Sequence, residues 1–92
     1  MSYAVVWGPE AEADYAQLPP LVQSKLLDAI DELASDPVRL SVRSHFPYRI
    51  DRQLYWASVK HEDGRTYHIN VLFRYVPDET TIYLTEIAWQ AV

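Results

Sequence analysis

Three side chains in the second half of the chain, His68, Arg74 and Tyr83, are of the types that metal-free proton-transfer chemistry needs. An imidazole exchanges a proton near neutral pH, a guanidinium stays charged and steadies a developing anion, and a phenol donates a proton. Strand alternation gathers them on one sheet face. His68 and Arg74 lie an even number of residues apart in one run, and a four-residue turn sets Tyr83 opposite Arg74. Asn70, Arg49, Tyr55 and Trp89 sort to the same face and are candidates for holding a ligand, the two aromatic rings by stacking on a base. The plainer account is that polar and aromatic side chains are ordinary on a solvated strand. His45 and His61 fall in a loop and beside a turn, and carry no catalytic assignment. Three dispersed His and no Cys make no metal site, and no cofactor fingerprint is present: neither a P-loop, a Gly-x-Ser-x-Gly elbow nor a dinucleotide glycine pattern.

The element that positions these groups is a hairpin from Tyr48 to Tyr75, two alternating runs flanking Asp63-Gly64. A two-residue turn there places Trp56 opposite Val71, Leu54 opposite Phe73, Gln53 opposite Arg74 and Tyr55 opposite Leu72. Ile50, Leu54, Trp56, Ser58, Ile69, Val71, Phe73 and Tyr75 then form the buried face. Pro77-Asp78-Glu79 is a turn and Thr81 to Trp89 a last strand, with Phe73 against Leu84. On this register Tyr83, Thr85, Ile87 and Trp89 join the polar face, and Glu86 falls among apolar positions.

Upstream, Tyr3 to Trp7 reads as a strand closed by Gly8-Pro9. Residues 9–18 and 20–35 read as helices. Pro9 and Pro20 suit their first turns, and Val22, Leu26, Ile30, Leu33 and Ala34 follow the helical period. Asp36-Pro37 ends the second helix, and Val38 to Pro47, with Arg39, Arg43 and His45, reads as a connecting loop. The order β-α-α-β-β-β gives one α+β domain over 1–92, a helical hairpin packed on one face of a mostly antiparallel four-stranded sheet.

With 92 residues and 49% hydrophobic content, the chain has enough for one core without disulfides. No apolar run is long enough to span a membrane, and the N-terminus lacks a signal pattern, so a cytoplasmic location without membrane contact is expected. The net charge of −5 is unevenly spread. Residues 1–36 carry one base and seven acids, whereas residues 37–76 carry seven bases and three acids, together with all three His. Overall acidity counts against a general, non-specific nucleic-acid binder, while the basic middle can mark a nucleic-acid or acidic-partner surface. Arg49 and Arg52 fall on opposite faces and form no single patch. The apolar share of the polar face (Tyr55, Leu72, Tyr83, Ile87, Trp89) suggests a protein partner or a homodimer.

The opening YAVVWGPEAEADYAQLP, the helix LVQSKLLDAIDELASDP, the YRI strand and the closing TIYLTEIAW together resemble the RelE/ParE superfamily of toxins from bacterial type II toxin–antitoxin pairs. The resemblance covers nearly the whole chain and implies the fold derived above, with a cognate antitoxin as partner. It implies one of two activities. RelE-like members cut mRNA on the ribosome without a metal, from basic and aromatic residues on the open sheet face; ParE-like members inhibit DNA gyrase. In the nuclease case, His68, Arg74 and Tyr83 supply the base, cation and acid. The chain departs from the nuclease pattern at several positions. It reads YHINVLF where the family carries an arginine in its third strand, so His68 and Asn70 occupy that neighbourhood. Lys60 stands alone where the family is lysine-rich, and the chain ends Trp-Gln-Ala-Val. The alternative is a non-catalytic binding module on the same fold.

Overall fold

Pro9 and Pro20 each open a helix, because a fixed φ and a missing N–H cost nothing in a first turn. The computed structural model describes residues 2–43 and 52–92. After β1 (Ala4–Trp7), α1 spans Pro9–Ala16 and α2 spans Pro20–Ser35. Glu10 and Glu12 sit in the first turn of α1, where its positive end favours them. Neither helix has a side-chain cap at its start. What holds α2 is its stripe of Val22, Leu26, Ile30, Leu33 and Ala34, all buried; full burial of each larger member is worth about 1.5–3 kcal/mol. Asp36 ends α2 and starts α3 (Pro37–Leu40). Its carboxylate accepts from the Arg39 amide at 3.4 Å and pairs with Arg39 Nε at 3.0 Å. The segment expected as a loop therefore begins as a capped helical turn.

Four more strands complete the sheet: β2 (Val42–Arg43), β3 (Gln53–Lys60), β4 (Thr66–Val76) and β5 (Thr81–Ala91). Their order is β1-β5-β4-β3-β2, with β1 parallel to β5 and every other pair antiparallel. The α+β architecture is thus the expected one, four long or medium strands with a two-residue strand added at the edge. Both helices lie on one face, where Leu26, Ile30 and Leu33 meet Ile69, Val71, Phe73, Ile82 and Leu84. The expected start of the hairpin at Tyr48, with Arg49 and Ile50, and His45 before it, lie outside the described residues.

Two local irregularities decide which side chains reach the open face. The β3–β4 turn has three residues, not two. Lys60 pairs with Thr66, the Arg65 carbonyl accepts from the His61 amide at 2.8 Å, and the Gly64 amide donates to the His61 carbonyl at 3.1 Å. Gly64 has φ +89°, the left-handed residue that closes such a loop. Asp63 accepts from the Arg65 amide at 2.9 Å, and that bond is the main reason its carboxyl titrates below its ordinary value. The extra residue slips β3 by one position, so Trp56 pairs with Asn70, Tyr55 with Val71 and Leu54 with Leu72. A one-residue slip exchanges the faces of a whole strand. Tyr55, Ala57 and Val59 turn towards the helices, while Leu54, Trp56 and Ser58 turn away.

The second irregularity is a bulge in β5. Phe73 pairs with Leu84 and Arg74 with Tyr83, as expected, but Leu72 then pairs with Glu86, leaving Thr85 as the extra residue. Thr85 Oγ1 donates to the Leu72 carbonyl at 3.1 Å, and Asp14 Oδ2 on α1 accepts from the Ile87 amide at 3.0 Å. Both sides of the bulge are thereby hydrogen-bonded. Beyond it, Ile87 and Trp89 face the helices and Glu86 faces out, which corrects the expectation for all three and gives the acid a solvent-side position.

Gly8 joins β1 to α1 at a close approach. Its amide donates to the Leu84 carbonyl at 2.9 Å, and a Cβ placed on it would stand 2.8 Å from that same oxygen. Because the obstacle is backbone in a central strand, Gly8→Ala is expected to cost about 1–3 kcal/mol by overpacking. A urea midpoint unchanged from the parent would show that the β1–α1 junction does not press on β5.

Candidate functional site

The strand register lays out the open face as cross-strand rows. Lys60 stands beside Thr66; Ser58, His68 and Gln90 follow; then Trp56, Asn70 and Ala88; then Leu54, Leu72 and Glu86; then Arg74 and Tyr83. The rows differ in burial. Leu54 and Leu72 are buried at 6% and 0% exposure, while Trp56 is 64% exposed. Lys60, His68, Ala88, Gln90 and Arg74 are also exposed.

One end of this face sets an imidazole one row from an exposed indole. His68 Nδ1 lies 3.3 Å from Ser58 Oγ, a contact that orients the ring, and its Nε2 makes no hydrogen bond with a described residue. Trp56 lies one row away, largely exposed, and pairs across the strands with Asn70, whose other neighbour is the small Ala88. Lys60 lies one row to the other side and borders a shallow hollow of about 410 Å³ with Lys25 and His61. Stacking, amide hydrogen bonding, an imidazole and a cation are therefore collected over three rows.

The other end holds Arg74 and Tyr83. A cleft of about 290 Å³ opens there between the β1–α1 turn and β4–β5, and Glu10, Arg52, Arg74, Tyr83 and Thr85 are among its lining. The Tyr83 phenol donates to Glu79 Oε1 at 2.7 Å. That bond, ahead of desolvation and the Glu79 charge, raises the Tyr83 pKa, while Arg74 pulls it the other way. The Tyr83 proton is thereby committed to the Glu79 carboxylate.

The structure places His68, Arg74 and Tyr83 on one face but does not bring all three together. Arg74 and Tyr83 are cross-strand partners. His68 lies six residues along β4 from Arg74, about 20 Å at the rise of a strand, too far to act on the same atom. Asn70 is beside the His68 end. Tyr55 and Trp89 do not belong to this face: both are half-buried and packed against the helical core. Burial raises the Tyr55 pKa, with Glu32 of α2 adding to it, as befits a phenol under that helix. Trp56 stands on the open face where the sequence pattern had Tyr55. Its signal lay in Ala57-Ser58-Val59-Lys60, where the apolar members alternate out of phase with Trp56. Arg49 lies outside the described residues. Among the described residues no three His, Cys, Asp or Glu side chains gather as a metal site, and no helix is long and apolar enough to cross a membrane.

No protein-family model matches the sequence, and no curated protein matches it. Solved structures do match. The toxin–antitoxin complex RelBE2 of Mycobacterium tuberculosis gives a TM-score of 0.79 at 16% identity, over 98% of this chain and 100% of that one. The intact Escherichia coli RelBE toxin–antitoxin complex gives 0.68 at 11% identity, over 95% of each chain. A double arginine-to-alanine mutant of the E. coli toxin RelE in the free state gives 0.67 at 13% identity, over 96% of this chain and 83% of that one. Across nearly its whole length, the chain has the RelE-like fold.

Proposed function

We propose that this chain is the toxin of a toxin–antitoxin pair, that it acts on single-stranded RNA across the open sheet face, and that a cognate antitoxin neutralises it. The observation that carries the reading is the grouping of Trp56, His68, Asn70 and Lys60 on that face of a RelE-like fold. His68 is the proton-transfer group, Trp56 stacks a base, Asn70 bonds a base edge and Lys60 meets the backbone. In this role the chain works in the cytoplasm on translated mRNA, as a metal-independent endoribonuclease. Induction of the intact chain in a bacterial host is expected to arrest growth and to cut mRNA on translating ribosomes. Normal growth with folded protein would end the toxin reading. Arrest without cleavage would support a second reading, a non-catalytic module acting on DNA gyrase or another protein. That reading is favoured by Glu86 on the open face and the net charge of −5.

A further inference from the structure

We propose that the hollow where β1, α1 and α2 meet, on the helical side of the sheet, receives an arginine side chain carried on a basic segment of a partner protein. The proposal does not depend on RNA chemistry. Trp7, Glu12, Tyr15 and Leu27 line the hollow, which holds about 280 Å³. Trp7 ends β1 and packs towards the helical core. Tyr15 comes from α1, its ring centroid 5.1 Å from that of Trp7 and its plane at 66° to it. The two rings therefore form a corner, not a flat patch. Glu12 precedes Tyr15 by three positions on α1, the spacing that sets two side chains side by side on a helix. Leu27 of α2 supplies an apolar wall and is 42% exposed.

The corner is tied in place by backbone. Gln23 Nε2 of α2 donates to the Tyr15 carbonyl at 3.0 Å, and the Leu18 amide donates to the same oxygen at 3.1 Å. Beside Trp7, the Gly8 amide holds the end of β1 to the Leu84 carbonyl at 2.9 Å. A guanidinium suits every wall. It is planar and weakly hydrated, so it stacks on an aromatic face, and its fork meets both oxygens of a carboxylate. Glu12 is exposed and makes no ion pair with a described residue, which leaves that carboxylate available. The surroundings agree in sign. Asp28, Asp31 and Glu32 are exposed on α2 and likewise form no ion pair with a described residue. The one base of these two helices, Lys25, borders a different hollow with Lys60 and His61. A field of this sign repels nucleic acid and anionic lipid and draws a basic protein segment.

The test is a chemical-shift titration of the intact chain with an acetylated leucine–arginine–leucine amide and its citrulline counterpart, at constant ionic strength. Citrulline keeps the shape of arginine and removes the charge. Saturable shifts are expected at the Trp7 indole N–H and at the Glu12 and Leu27 amides with the arginine peptide. The citrulline peptide is expected to bind at least about tenfold more weakly, and Glu12→Gln to weaken the arginine peptide about tenfold, the loss of one charge-assisted fork. Leu27→Lys sets a cation at the rim and is expected to abolish saturation. Glu12 and Leu27 are both exposed, so neither change depends on repacking the core. His68→Ala, on the opposite face, is expected to leave the affinity unchanged. Equal affinity for the two peptides, or no loss in Glu12→Gln, would overturn the arginine site. Shifts at the same amides on raising the protein concentration alone would give the hollow to a second copy of the chain and overturn the assignment to a basic partner. Arginine-peptide binding by a chain that neither arrests growth nor cuts RNA would sink the function proposed above and leave this site standing.

Discussion

Replacing His68 with Ala is expected to slow RNA cleavage about 10²–10⁴-fold, the usual worth of one general acid–base group, while the fold is untouched. The side chain is exposed and its one hydrogen bond among the described residues is to Ser58, so nothing in the core depends on it. Surface replacements of this kind change stability by about 0.5 kcal/mol or less, which keeps the melting temperature within about 4 °C of the parent. His68→Gln separates proton transfer from hydrogen bonding. Its amide can still meet Ser58 but cannot exchange a proton near neutral pH, so the loss should persist. Cleavage at the parent rate in both variants would move the reacting centre elsewhere, and the Arg74–Tyr83 end would be next to examine. Growth arrest that survives in both while cleavage is lost would separate toxicity from RNA chemistry.

The helices were readable because their signals are local and redundant. Pro9 and Pro20 mark the starts, Asp36-Pro37 marks the stop, and the stripe from Val22 to Ala34 fixes the buried side of α2. The pairing of Phe73 with Leu84 and of Arg74 with Tyr83 was readable too, since Pro77 to Glu79 and the left-handed Thr80 leave little choice of turn. Each misplaced residue traces to one inserted position. Asp63-Gly64 serves a two-residue turn or the last two places of a three-residue one, and only the alternation of Ala57 and Val59 against Ser58 and Lys60 separates them. The bulge at Thr85 has a weaker signature still. It depends on Asp14, a residue of α1 far away in sequence, which accepts the Ile87 amide. Glu86 was the symptom: an acid forced among apolar positions marks a register that has shifted by one. For the candidate site these two slips acted together, sending Tyr55 and Trp89 under the helices and Trp56 into solvent.

Phe73→Ala and Trp56→Ala measure that register directly, because simple alternation assigns both side chains to one buried face. Phe73 is fully buried, paired with Leu84 beneath the helices and next to the bulge in β5. Its truncation is expected to cost about 3–5 kcal/mol, a large part of the roughly 5–15 kcal/mol that holds a domain of this kind. Trp56, although larger, is 64% exposed. Its truncation is expected to cost less than about 1 kcal/mol in stability, yet to weaken RNA binding by about 1–3 kcal/mol, the worth of one stacked base. Denaturant unfolding and an RNA-binding titration on both variants read the two effects. A loss of stability at Trp56 equal to that at Phe73 would place the indole in the core and return β3 to the two-residue turn. The open face would then present Tyr55 in the Leu72 row, two rows from His68, in place of the indole. One residue of register therefore separates a protein with a nucleotide platform beside His68 from one without, and the stability of two variants distinguishes them.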